Sequence, residues 1–118
     1  MYTYKANIVR VVDADTVIVD VDLGFDVWVK DITLRLARID AYETRLSKTT
    51  SPEMKAKGLE AKEWLIKSVD NSTQSGEEVK IRTNSRGKYG RWIAELYIGG
   101  INVNDTLVNL SYAVYRVY

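Results

Sequence analysis

Cysteine and histidine are both absent from this chain. Without cysteine there is no disulfide and no thiolate metal site. Without histidine, acid–base work falls on Asp, Glu, Lys, Tyr or a metal-held water, and no imidazole can bind a metal. Proline occurs once and phenylalanine once. No apolar run approaches the roughly 20 residues that span a bilayer, so no membrane partner is expected. The N-terminal Met-Tyr-Thr-Tyr-Lys-Ala-Asn lacks the basic-then-apolar order of a signal peptide. A mature secreted form and an intracellular protein both fit that observation. Net charge is only +1, so a polyanion would have to meet a local cluster of cations.

What is present is an ordinary globular composition, 46% apolar and 28% charged over 118 residues. That length implies a single domain spanning residues 1–118, with one real core. Ile8 to Val12 and Thr16 to Val21 read as strands, and Leu23 to Asp26 as a hairpin turn around Gly24. Val27 to Ile39 reads as a third strand, with Ile32, Leu34 and Leu36 on one face and Thr33 and Arg35 on the other. By that parity Asp40 belongs to the Leu36 face. Bringing it to Arg35 requires a bulge or the strand's end.

Thr44 to Ser51 is polar and aperiodic, and Ser51-Pro52-Glu53 is a helix start. The helix is expected from Pro52 to about Val69, with Met54, Leu59, Trp64 and Leu65 leaning on the sheet. Gly58 weakens it or marks a later start. Asp70 to Gly76 reads as a loop. Val79 to Thr83 and Trp92 to Ile98 are the last two strands, joined by a cationic loop, Asn84 to Gly90. Asn102 followed by Asp105 caps a short helix ending near Leu110. Val114 to Tyr118 is extended. The expectation is an α+β plan: a five-stranded OB barrel, with a helix between strands 3 and 4 and a short helix after strand 5.

Chemistry concentrates in three segments. Asp13-Ala14-Asp15 offers two hard carboxylates that suit Ca²⁺ or Mg²⁺, or else a solvated turn. Arg35, Asp40 and Glu43 lie within nine residues, a place for a metal and an anion to meet. Arg35 alone also reads as an edge arginine with its stem on apolar surface. Arg82, Arg86, Lys88 and Arg91 surround a hairpin with Tyr89 inside it, which suits phosphate or serves to block a sheet edge. Trp64 and Trp92 are expected in the core, while Tyr112, Tyr115 and Tyr118 suit either a base-lined groove or packing.

Taken together, Val12-Asp13-Ala14-Asp15-Thr16, Leu34-Arg35-Leu36 with Ile39-Asp40-Ala41-Tyr42-Glu43-Thr44, Lys88-Tyr89-Gly90-Arg91 and Asn104-Asp105-Thr106-Leu107-Val108 resemble the staphylococcal nuclease family. The resemblance runs from about Ile8 to Ala113. It implies a Ca²⁺-dependent endonuclease of OB fold that cuts DNA and RNA and leaves 3′-phosphate ends. Carried over by position, Asp15 and Asp40 would be carboxylate ligands of Ca²⁺ and Ala41 a carbonyl ligand. Asp13 would act through a water outside the ligand set. Glu43 would be the base, Arg35 and Arg91 would grip the scissile phosphate, and Lys88 and Tyr89 a neighbouring one. Ala14 stands where the family has Gly, Tyr42 where it has Pro, and the family enzyme's C-terminal helix has no counterpart. A monomer is expected. In metal-free protein, Asp13, Asp15, Asp40 and Glu43 are expected to crowd one barrel mouth and repel. The rival reading is a non-catalytic OB module that binds single strands or a protein partner.

Overall fold

The computed structural model describes residues 2–41, 52–86 and 91–116; within them, the side chains of Met54, Asn84, Ser85 and Arg86 are not described. In chain order the elements are β1 (Tyr2–Asp13), β2 (Thr16–Asp22), β3 (Trp28–Leu36), β4 (Ile39–Ala41), α1 (Pro52–Ser75), β5 (Val79–Arg86), β6 (Trp92–Ile98), β7 (Ile101–Asn102), α2 (Val103–Asn109) and β8 (Ala113–Tyr115). The large sheet runs β3-β2-β1-β5-β6-β7, and β6 also pairs with β3 in parallel. That last pairing, Leu34 with Trp92 through Leu36 with Ala94, closes five strands into the OB barrel. β1 serves both halves: its first residues pair with β5 and the rest with β2, with register shifts near Arg10 and Asp13. Such shifts bend a strand, as a small barrel requires.

Alternation puts the core inside the ring. Val17, Val19 and Val21 of β2, Leu34 and Leu36 of β3, and Ala94, Leu96 and Ile98 of β6 are buried. α1 covers the barrel with a stripe formed by Gly58, Ala61, Leu65 and Ser72. α2 adds Val103 and Leu107. No helix among the described residues is long and apolar enough to cross a membrane.

Several expectations shift. The long third strand is two elements, β3 and β4, separated by the Ala37–Arg38 turn, with Arg38 at φ 66°. The stretch read as a loop after Val69 is helix through Ser75. Its small polar residues stay helical because their hydroxyls bond within the helix: Ser72 to Val69 O at 2.7 Å, Thr73 to Val69 O at 3.0 Å and Ser75 to Asn71 O at 2.8 Å. The stop is Gly76, at φ 71°, followed by Glu77 N–H reaching back to Ser72 O at 2.9 Å. Gly58 is buried inside this helix rather than at its start. Leu59 faces outward, and Ala61 takes the core position instead. β5 continues past Thr83 to Arg86, into the segment read as loop. Trp64 packs against the core, but Trp92 lies at the barrel's open end beside an apolar hollow of about 380 Å³ that Tyr2, Tyr4 and Leu34 also line.

Candidate active site

The site starts from strand register. β2 pairs with β3 so that Thr16 lies opposite Arg35, and Asp15 O accepts the Leu36 N–H at 2.8 Å. Asp15 therefore stands beside Arg35 although 20 positions of sequence separate them. Ala14 fits where the related motif has Gly because its backbone φ is not positive and its methyl group is buried. Asp13, half-buried, ends β1 opposite Thr16.

Asp40 arrives by the turn. Ile39 is fully buried, which commits its neighbour Asp40 to the outside of β4. Resetting the alternation at Ala37–Arg38 moves Asp40 off the Leu36 face and beside Arg35. Arg35 Nη2 is 2.9 Å from Asp40 Oδ1 and 3.3 Å from Asp15 Oδ2, while Nη1 donates to Leu36 O at 2.9 Å. The Ala41 N–H also donates to Asp15 Oδ2, at 2.9 Å, and the Thr16 hydroxyl to Asp15 Oδ1, at 3.1 Å. Three segments thus meet on one guanidinium. The Arg35 and Asp15 side chains are only 12% and 14% exposed, whereas Asp40 is 34% exposed and open to solvent.

The turn itself is held from below by Asn104 of α2, fully buried and fully bonded. Its Oδ1 accepts the Leu96 N–H at 3.1 Å, and its Nδ2 donates to Ala37 O at 2.9 Å and Ala94 O at 3.2 Å. Ala37 N–H closes the same corner on Ala94 O at 2.8 Å. From the other side β8 pairs with β4, Asp40 opposite Val114, and Arg116 follows with its guanidinium on Asp40 Oδ2. Sequence reasoning missed Arg116, and it read Asn104 as one more residue of a helix. A polar side chain between Val103 and Leu107 was the available signal for Asn104. Arg116, 76 residues from its partner, had none.

Of the carboxylates expected to crowd one barrel mouth, Asp15 and Asp40 do come together, on the same Arg35 nitrogen, which offsets their repulsion. No group of three or more acids that could hold a metal occurs among the described residues. Arg116 adds a second positive charge beside Asp40. Arg91 is half-buried and enters β6 just before Trp92, the register partner of Leu34, so it reaches the barrel next to the strand that carries Arg35. Glu43, Lys88 and Tyr89 lie outside the described residues.

The donors suit a hard divalent cation in kind. Both side-chain groups are carboxylates, and there is no imidazole or thiolate. Ca²⁺ takes about six to eight oxygens, so water would complete the set, and a substrate phosphate oxygen would take the place of one water.

No curated protein matches the chain at a significant level. The family model of staphylococcal nuclease homologues matches residues 33–118. That stretch includes Arg35, Asp40, Arg91 and Asn104, and Asp15 joins it through the β2–β3 register. With the closed barrel and the Arg35 site, the match establishes that the chain belongs to the staphylococcal nuclease homologues, OB-fold domains of nuclease-like or nucleic-acid-binding type.

Proposed function

We propose that the protein is a Ca²⁺-dependent nuclease that hydrolyses the phosphodiester bonds of DNA and RNA and leaves 3′-phosphate ends. The observation that carries this reading is the meeting of Asp15, Arg35 and Asp40, from three segments, on one point at the barrel edge. Asp15 and Asp40, with the Ala41 carbonyl, would hold the cation. When bound, Ca²⁺ supplies positive charge that offsets the repulsion between a phosphodiester and its nucleophile.

The chain's own residues do the rest. Arg35 is anchored through Nη1 to Leu36 O, so its fork is oriented before substrate arrives. Arg35 and Arg91 would donate paired hydrogen bonds to phosphoryl oxygens as charge builds in the transition state. Glu43 would orient the attacking water or take its proton. Lys88 and Tyr89 would bind the next phosphate, and Asp13 would order a water near Asp15.

One observation favours a second reading, a non-catalytic nucleic-acid-binding module. Asp15 and Asp40, the two carboxylates that would hold the cation, are each already paired with arginine. Incubating plasmid DNA and RNA with Ca²⁺ or with EGTA separates the two. Cutting with Ca²⁺ alone is expected. Equal cutting in both tubes overturns the calcium requirement. Salt-sensitive binding with no cutting in either tube identifies the binding module.

A further inference from the structure

Asp40 lies between two guanidinium groups of different character. Arg35 takes Oδ1 from within the barrel edge, where it is also tied to Asp15 and Leu36 O. Arg116 takes Oδ2 with a side chain that is 60% exposed against 12% for Arg35. Arg35 cannot leave without breaking buried contacts. Arg116 can swing away at the modest cost of an exposed ion pair. Its approach is nevertheless built in: β8 is zipped to β4, and the Arg116 N–H donates to Arg38 O at 2.8 Å. The long stem therefore starts beside Asp40 and does not have to find it.

The charges decide what this contact does. Asp15 and Asp40 carry two negative charges, and Arg35 and Arg116 two positive ones. A divalent cation placed against Asp40 would meet carboxylates already paired with arginine, one of them with the exposed Arg116. We propose that Arg116 is a displaceable counter-cation: it satisfies Asp40 in the cation-free protein, gives up Oδ2 when a divalent cation binds, and so sets the concentration at which the site fills. This rests on the cation reading given above and adds to it a residue outside the nuclease motifs. Arg116 acts through Asp40 and is a positioning residue, not a catalytic one.

The test is calorimetric titration of the whole chain with CaCl₂ alone, without substrate, at low and at high salt. The variants are Arg116→Gln, Arg116→Met, which keeps the apolar stem, and Arg116→Lys, which keeps the charge. Both neutral variants should bind Ca²⁺ about five- to tenfold more tightly than the wild type at low salt, with the gap narrowing at high salt. The lysine variant should stay near wild type. A merely structural Arg116 gives the opposite sign, because loosening β8 would weaken the cation site. Neutral variants that are folded by circular dichroism yet bind equally or more weakly overturn the counter-cation role and leave the cation reading intact. Binding by no variant and not by the wild type overturns the cation reading, and this role with it.

Discussion

Arg35 and Arg38 stand three residues apart, and each lies between two carboxylates. Arg38 is held by several contacts at once. Its Nε and Nη2 grip Glu95 at 3.1 and 2.6 Å, Nη2 also meets Asp105 at 3.0 Å, and its guanidinium lies 5.9 Å over the Tyr115 ring. The acids are in turn occupied: Asn102 donates to Glu95 at 3.1 Å and the Tyr115 hydroxyl to Asp105 at 3.0 Å. The Glu95 hydrogen bond, against some desolvation and with help from Asp105, raises the Arg38 pKa above its ordinary value. The bond to Asp105 likewise raises that of Tyr115. Glu95 and Asp105 come from β6 and α2, so this network fastens α2 and β8 to the barrel. Arg35 draws its acids from the turn between β1 and β2 and from the three-residue β4. An arginine between two acids is therefore no sign of a site in itself. What separates the two is the backbone that carries the acids: Glu95 and Asp105 belong to β6 and α2, whereas Asp15 lies in the turn between β1 and β2 and Asp40 in the three-residue β4.

The largest expected effect sharpens that contrast. Arg35→Lys should lower kcat/KM by a barrier of about 2–4 kcal/mol, because lysine keeps the charge but loses the planar fork. Arg91→Lys should do the same, and both should remain folded. Turnover on DNA, with circular dichroism as the control for folding, checks this, and near-wild-type turnover would remove that arginine from the site.

A mutation beneath both arginines comes next. Asn104→Leu keeps the volume but strands the Leu96 N–H and Ala37 O in the core, and should cost about 2–3 kcal/mol of stability. Urea denaturation measures it. A midpoint equal to that of the wild type would mean the Ala37–Arg38 turn does not depend on Asn104.

The smallest effect is the other half of the comparison. Arg38→Lys loses the two-pronged grip on Glu95 at a site 48% exposed, so it should cost less than about 1 kcal/mol and leave cleavage unchanged. A loss of turnover as large as that of Arg35→Lys would erase the distinction drawn between them.

The sequence made some of this plain and hid the rest. The alternation in Val17, Val19 and Val21, and in Leu34 and Leu36, marked the barrel strands because a half-buried strand must alternate. The cap was legible because it is local: Asn102 Oδ1 accepts the Asp105 N–H at 3.0 Å, three residues on. The end of α1 was misread because serine and threonine suggest a loop until their hydroxyls find carbonyls in the same helix. Gly76, the real stop, was in view but was placed at the end of a loop.

By itself the sequence determined the strand pattern, the helix caps and the residue types of the site, since each depends on neighbours within a few positions. Tertiary structure decided which of those residues meet. The parallel pairing of β3 with β6 closes the ring across 58 positions, as in Leu34 with Trp92. Arg38 reaches Glu95 across 57, Asn104 reaches Ala37 O across 67, and Arg116 reaches Asp40 across 76. No periodicity encodes such contacts. They exist because the closed barrel brings the end of β3, the start of α2 and the strand after it to one corner, where buried polar groups must find partners.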